Sequence, residues 1–199
     1  MKDTLAKLFS SGTLIKVMRL FLLNRSSVFD AKEIATRVRI QPDSARYEIN
    51  LLRGIKFIVP KTKTTGSGAK KRSVRGWQLD AKFPLLIPLE QLLFTTDPIK
   101  DVDLVTRLRA VGKLQLVLLS GVFVRSKDAR VDLLIVADHI KKSSIEGVIR
   151  GIEAEIGKEL EYVVFTTKDF LYRQDVKDGF VRDIFDGPYR IILSRLGRF

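Results

Sequence analysis

The sequence predicts an α+β fold in two domains, and three patterns support this prediction. Apolar residues recur at helical spacing near the start of the chain, and short apolar runs typical of strands follow later. Of the 199 residues, 45% are hydrophobic, which is enough for buried cores. Residues 1–100 contain 19 basic and 8 acidic side chains, a net charge of +11, whereas residues 101–199 contain 17 and 15, a net charge of +2. This asymmetry favours two domains with different partners over one uniformly basic surface.

The composition excludes several kinds of chemistry. The chain has no cysteine, so disulfides, thiolate zinc sites, iron–sulfur clusters and a cysteine nucleophile are excluded. The single histidine, His139, cannot form a two-histidine metal site within one chain. No apolar run is long enough to span a bilayer, and the first residues lack the pattern of a signal peptide. We therefore expect a cytoplasmic protein with no membrane partner. Its net charge of +13 favours a polyanionic partner.

Three helices are predicted near the start of the chain. Dense helical spacing marks the first, over residues 12–24, and a short extended piece follows at Val28-Phe29. Asp30 and Glu33 have the spacing of a capping box, which predicts the start of a second helix. The third helix begins at Pro42, because a proline in the first turn sacrifices no helical hydrogen bond.

The third helix has an apolar stripe and an opposite polar face. The stripe consists of Ala45, Ile49 and Leu52, and Gly54 is placed to end the helix. Helical spacing then puts five residues on the outer face: Ser44, Arg46, Tyr47, Asn50 and Arg53. Arginine and asparagine can contact guanine and adenine edges in a bidentate manner, and serine and tyrosine suit phosphates. An ordinary solvated helix face is the alternative interpretation.

A β-hairpin with a basic tip is predicted next. Residues 57–59 and 74–79 have strand composition, and residues 61–72 between them form a flexible basic loop. The glycines at 66 and 68 lack the spacing of a phosphate-binding loop, so a hairpin tip explains them better. Six basic side chains of the hairpin are expected to attract nucleic-acid phosphates: Lys61, Lys63, Lys70, Lys71, Arg72 and Arg75.

Three short helices followed by a basic hairpin resemble a winged helix-turn-helix, over roughly residues 12–80. The order is most similar to that of small bacterial regulators of the MarR and ArsR type. The resemblance implies that the third helix enters the major groove of double-stranded DNA while the hairpin, the wing, lies on the backbone. Two-fold symmetric operators usually require two-fold symmetric proteins, so a homodimer is expected.

We assign the winged helix-turn-helix domain to residues 1–82 and the second domain to residues 99–199. The segment 83–98 between them is mostly apolar and is interrupted by prolines, which fits a linker or dimerisation helix. The second domain is predicted to hold a small mixed sheet with helices packed on it. Its strands are expected at 114–119, 131–136, 160–165 and 189–193, and its helices at 99–111, 143–157 and, in one piece or two, 167–185.

The second domain contains a glycine turn, Ser120-Gly121, followed by the apolar segment Val131 to Val136 with Asp132 near its start. Over roughly residues 98–195 this pattern resembles the minimal nucleotidyltransferases of the DNA polymerase-β superfamily. In that family a strand ends in Gly-Ser, and Asp-x-Asp opens the next apolar strand. The resemblance implies Gly121, Asp132 and Glu161 as the active-site residues, with Mg²⁺ as the cofactor.

Two departures from the family pattern predict a degenerate site. Val122 stands where the family has serine, and Arg130 stands where it has the first aspartate. Residues 130 and 132 would share one face of a strand, so Arg130 would repel Mg²⁺ and could pair with Asp132. We therefore expect a pseudoenzyme with no cofactor and no metal site. The alternative is an active Mg²⁺-dependent nucleotidyltransferase that acts on RNA, DNA or protein.

Other interpretations of the polar residues in the second domain stay open. Asp132 and Glu161 could be strand-end carboxylates paired with Arg130 or Arg125. A retained pocket could instead sense a nucleotide effector through Arg125, Lys127 and Arg130. His139 is expected in a solvated turn, and a serine nucleophile at Ser120 is rejected because no nucleophile-elbow pattern surrounds it.

The expected function is a sequence-specific DNA-binding transcriptional regulator. Its nucleotidyltransferase-like domain would serve sensing, dimerisation or the binding of another protein. Besides the nucleotidyltransferase alternative, a third possibility is an adaptor whose winged helix binds a protein.

Overall fold

Two small sheets and their surrounding helices make up an α+β fold. The computed structural model describes residues 4–65, 72–95 and 98–197. Within these residues, no helix combines the length and the apolar character needed to cross a membrane.

The chain divides by its internal contacts into two units. Residues 1–98 and 153–158 form the first unit, and residues 99–152 and 159–199 form the second. The elements up to residue 98 are α1 (Thr4–Leu8), α2 (Gly12–Leu23), α3 (Ala31–Arg37), α4 (Pro42–Gly54), β1 (Ile58–Thr65), β2 (Arg72–Leu79) and α5 (Leu86–Thr95). The later elements are α6 (Asp101–Leu108), β3 (Lys113–Leu119), a 3₁₀ turn (Gly121–Phe123), β4 (Leu133–Asp138), α7 (Lys142–Ile156), β5 (Tyr162–Phe165), α8 (Thr167–Asp175), α9 (Gly179–Asp186) and β6 (Arg190–Ser194).

The three predicted helices of the first unit are confirmed as α2, α3 and α4, and local signals start them. At α3 the Asp30 carboxylate accepts from the Glu33 N–H at 2.9 Å, and the Glu33 carboxylate accepts from the Asp30 N–H at 2.8 Å. This is the predicted capping box, which satisfies two backbone donors that the helix itself cannot. Pro42 occupies the first turn of α4, as expected.

The strands of the hairpin are longer than predicted. They pair antiparallel from Ile58 opposite Leu79 to Thr65 opposite Arg72. Residues 61–65 therefore belong to β1, and the prediction of a loop beginning at residue 61 is wrong. Lysine and β-branched threonine alternate over this segment, a period-two pattern that suits a strand with one solvated face.

A backbone bridge joins the hairpin to the segment before α3. The Phe29 N–H donates to the Trp77 carbonyl at 3.0 Å, and the Trp77 N–H donates to the Phe29 carbonyl at 2.8 Å. Phe29 also packs edge-on against the fully buried Phe21 of α2, with ring centroids 5.7 Å apart. The hairpin is thus fixed to the helical core at its base.

One charged residue of α4 is buried in this core. Glu48 is only 4% exposed, although the predicted apolar stripe of α4 did not include it. Its Oε1 accepts from the Ser11 hydroxyl at 2.8 Å, and its Oε2 has no hydrogen-bond partner in the described structure. Ser11 also caps α2, because its Oγ accepts from the Leu14 N–H at 3.0 Å.

Replacing Ser11 with alanine is expected to lower the free energy of unfolding of the first unit by about 2–3 kcal/mol. The change removes the cap of α2 and leaves the buried Glu48 carboxylate without its hydroxyl donor. Trp77 is the only tryptophan of the sequence, so its fluorescence during urea unfolding follows this unit selectively. Ser26→Ala at an exposed turn position is the control. Equal midpoints for the two variants would contradict the assigned role.

The second unit contains a mixed four-stranded sheet in the order β5-β4-β3-β6. Strand β3 pairs antiparallel with β4 and β6, and β4 pairs parallel with β5. The apolar runs predicted as strands are confirmed as these elements, and residues 116–119 of β3 and 133–137 of β4 are fully buried. On one face they pack with Phe170 of α8 and Ile184 of α9.

The helices after β5 and the start of β4 show details that the predicted ranges did not fix. The segment 167–185, expected as helix in one piece or two, forms two helices, α8 and α9, because Lys177 adopts a positive φ of 52° and Asp178 caps α9. Strand β4 begins at Leu133, so Arg130 and Asp132 precede it and do not share a strand face. The Asp132 carboxylate accepts hydrogen bonds from two backbone N–H groups.

Candidate nucleic-acid interface

The predicted outer face of α4 is exposed along its whole length. Ala45, Ile49 and Leu52 are at most 3% exposed and hold the helix against the core. On the other side, the five proposed DNA-contacting side chains of α4 are all exposed: Ser44, Arg46, Tyr47, Asn50 and Arg53. Arg46 forms an exposed ion pair with Asp43 at 2.8 Å, which solvent screens and a stronger anion can displace.

An aromatic residue connects α4 with the hairpin. The guanidinium carbon of Arg53, on α4, lies 6.0 Å from the centroid of the Trp77 ring, and that of Arg75, on β2, lies 5.3 Å away. These distances allow cation–π attraction, which orients a guanidinium without consuming its N–H donors. Neither arginine has a carboxylate partner among the residues that the structure describes. The helix and the hairpin therefore present two positioned cations side by side.

Lys61 and Lys63 were predicted to attract phosphates from a loop and lie on strand β1 instead, and of the two only Lys61 has no carboxylate partner among the described residues. Lys61 is exposed. Lys63 is half-buried and forms ion pairs with Glu33 and, at 3.9 Å, with Asp30. It therefore stabilises the start of α3, a role that the sequence did not suggest because Glu33 lies 30 residues earlier.

Three predicted residues of the hairpin lie near or within the segment 66–71, which the structure does not describe. Lys70 and Lys71 lie outside the described residues, and Arg72 is described only as part of strand β2. Counted over the sequence, residues 31–79 contain 12 basic and 3 acidic side chains, a net charge of +9. One of those three acids, Glu48, is buried, and Glu33 is paired with Lys63.

The outer face of α4 also carries two exposed apolar residues that sequence reasoning missed. Leu51 is 37% exposed and Ile55, directly after the helix, is 51% exposed. Both follow Tyr47 at intervals of four residues, and this spacing in the sequence could have revealed them.

In the second unit, Gly121, Asp132 and Glu161 lie close together. Their contacts are hydrogen bonds that hold the Asp132 carboxylate in a turn. Asp132 is 4% exposed, and its Oδ1 accepts from the Val122 N–H at 2.7 Å while Oδ2 accepts from the Glu161 N–H at 3.0 Å. Gly121 has a φ of +51°, and a Cβ there would lie 2.0 Å from Asp132 Oδ1. The side chain of Glu161 is exposed, so only its backbone meets Asp132.

The expected pairing of Arg130 with Asp132 is wrong. Arg130 Nε instead donates to Asp183 Oδ2 at 3.1 Å, and the two side chains are 60% and 37% exposed. They line a cleft of about 250 Å³ together with Ser126 and Pro188. The hydroxyl of Ser120, at the edge of this cleft, donates to the Pro188 carbonyl at 2.8 Å. Asp132 is buried below the turn, whereas Arg130 reaches outward across the cleft.

Other predicted polar residues of this unit stand at its surface. Arg125 and Lys127 are exposed, and His139 is exposed in a turn with a φ of +54°, as expected for a solvated turn histidine. Among the described residues, no group of three or more histidine, aspartate or glutamate side chains is placed to hold a metal ion.

Comparison with known proteins adds no family to these observations. Neither the family models, nor the curated proteins, nor the solved structures gave a match to the chain. The function is therefore inferred from the side chains of the two units.

Proposed function

We propose that the first unit is a winged helix-turn-helix domain and that the chain is a sequence-specific DNA-binding transcriptional regulator. The observation that supports this most is the pair of cations held on Trp77, Arg53 from α4 and Arg75 from the hairpin. These two arginines lie on the two elements with which a winged helix contacts DNA: the helix in the major groove and the wing on the backbone.

The outer face of α4 supplies the base contacts in this proposal. Its 13 residues extend over about 20 Å, and the major groove, about 12 Å wide, accepts a helix of this kind. Arg46 and Arg53 can each donate two hydrogen bonds to guanine, and the Asn50 amide can do the same with adenine. Because Ala45, Ile49 and Leu52 are locked in the core, the face that carries these donors cannot rotate away from the groove.

The hairpin supplies contacts with the phosphates. Arg75 and Lys61 extend from opposite strands of it, and the net charge of +9 over residues 31–79 gives an attraction that depends on salt and not on sequence. Lys63 is left out of this set because Glu33 and Asp30 neutralise it.

Replacing Arg75 with glutamine is expected to weaken binding to every duplex by a similar factor. It should also reduce the slope of log Kobs against log salt concentration by about 0.9, the value for one lost phosphate contact. Arg150→Gln in the second unit, an exposed arginine with a helical ion pair, removes the same charge as a control. A salt slope that is unchanged in Arg75→Gln would contradict the wing contact.

The remaining parts of the proposal concern assembly and location. A homodimer would present two copies of α4 to the half-sites of a two-fold operator, about one helical turn apart. The second unit would serve dimerisation or sense a nucleotide effector. A cytoplasmic location is part of the same proposal, as for the small bacterial regulators that the first unit resembles.

Selection from a random library of DNA duplexes tests this proposal directly. The full chain is expected to enrich one motif with two-fold symmetry, and electrophoretic shifts should show one dimer per site. Enrichment of no motif, or equal retention of every duplex, would contradict the assignment of a specific regulator.

A further inference from the structure

The outer face of α4 is chemically divided. Tyr47, Leu51 and Ile55 are 67%, 37% and 51% exposed and follow one another at intervals of four residues, so they form one apolar line along the helix. Arg46 and Arg53 lie on the opposite side of the exposed surface of α4, about 140–180° around the axis from Leu51 and Ile55, and Tyr47 and Asn50 lie between the two sides. We call the line of Tyr47, Leu51 and Ile55 the apolar flank.

We infer that the apolar flank contacts thymine methyl groups, so that A·T base pairs stand beside the base pairs contacted by Arg46, Asn50 and Arg53. This inference rests on the proposed function and names the base composition that the same face of α4 selects. The C5 methyl of thymine is the apolar group that the bases offer in the major groove. Polar contacts alone would leave Leu51 and Ile55 facing hydrogen-bonding edges that they cannot satisfy.

The spacing of the flank fits neighbouring base pairs. Tyr47 and Leu51 are one helical turn apart, about 6 Å along the axis, and base pairs are stacked about 3.4 Å apart. The two side chains can therefore contact methyl groups one or two base pairs apart. Ile55, beyond the end of α4, would lie at the edge of the groove.

Charge favours DNA over a second copy of the chain as the occupant of this flank. The flank lies on the same element as Arg46 and Arg53, within a segment with a net charge of +9. Two copies meeting through the flank would bring two segments of this net charge close together, whereas a polyanion such as DNA is attracted to the segment.

Deoxyuridine substitution tests the inference, because it removes the methyl group of thymine and keeps its hydrogen-bonding groups. Each thymine of the selected duplex is replaced in turn, and the Kd of the full-length chain is measured by fluorescence anisotropy. One or two replacements in each half-site are expected to weaken binding by about fourfold each, the effect of one buried carbon. Replacements elsewhere in the duplex should have no effect.

Variants assign the effect to the apolar flank. At one of the sensitive thymines, Leu51→Ala should bind the thymine and deoxyuridine duplexes equally, whereas Arg53→Ala should stay sensitive to the methyl group at every sensitive position. Leu51 is exposed, so its truncation should leave the fold intact, and the comparison of duplexes with the wild-type chain does not depend on any variant.

The outcomes separate this inference from the proposed function. A selected duplex whose binding ignores every deoxyuridine replacement would overturn the inference and leave the regulator in place. A change in oligomeric state of Leu51→Ala, with the methyl response unaltered, would also overturn it and assign the flank to an interface between copies. Absence of any selected duplex would overturn the proposed function itself.

Discussion

Replacing Arg46, Asn50 and Arg53 together with alanine is expected to abolish the preference for the selected duplex. Each lost base contact weakens specific binding by about 1–3 kcal/mol, so the combined loss should reach about a hundredfold or more. Binding to a shuffled duplex should fall only severalfold, because the hairpin retains Arg75 and Lys61. The measurement is the ratio of the two Kd values, with circular dichroism as a check that the variant folds.

A control for charge is available in the second unit. Arg150 and Arg182 are exposed, and replacing both with alanine removes two positive charges, as many as the triple variant of α4 loses. This double variant should retain the preference for the selected duplex. If the triple variant of α4 retained it as well, the assignment of base contacts to this helix would be wrong.

Replacing Gly121 with alanine is expected to destabilise the second unit by about 3 kcal/mol. The positive φ of +51° is unfavourable for alanine, and the added Cβ would lie 2.0 Å from Asp132 Oδ1. The clash would displace the carboxylate from the Val122 and Glu161 N–H groups, which would then lose their acceptor in a partly buried turn. Hydrogen exchange of β3 and β4 measures the loss, while Trp77 fluorescence shows whether the first unit is unaffected.

Gly147 provides the matched control. It lies within α7, and a Cβ there has no neighbour within 4 Å in the described structure. Gly147→Ala should therefore be neutral or slightly stabilising, since alanine is the better helix former. Equal protection of β3 and β4 in the two variants would contradict the account of the turn.

Asp132→Asn distinguishes a structural carboxylate from a metal ligand. An asparagine amide has one acceptor oxygen, so its NH₂ group would face one of the two backbone donors. A loss of about 2 kcal/mol in the stability of the second unit is expected from a buried donor left unsatisfied. A variant as stable as the wild type would contradict the structural role and favour a carboxylate that serves as a ligand.

The features that the sequence predicted are those encoded by neighbouring residues. The capping box of Asp30 and Glu33, the proline at the start of α4 and the separation of its two faces depend on spacings of a few residues. Each of these local signals agrees with the structure, because the same residues form the contacts that the spacing implies.

The features that were missed depend on residues far apart in the chain. Glu48 could enter the core because Ser11, 37 residues earlier, donates to it, and no periodicity encodes that pair. Arg130 was expected beside Asp132, but Asp183, 53 residues later, provides its partner. Asp132 itself is satisfied by backbone N–H groups, which every residue type except proline offers, so its sequence context could not indicate them.

The central claim, specific recognition of DNA by the first unit, is tested most directly by a salt titration with two duplexes. The Kd of the full chain is measured for the selected duplex and for a shuffled one, from low to physiological ionic strength. We expect both log–log plots to fall with a slope of several times 0.9, and the selected duplex to remain about a thousandfold or more tighter at physiological salt. Equal affinity for the two duplexes at every salt concentration would contradict the claim, because the basic unit would then contact only the DNA backbone.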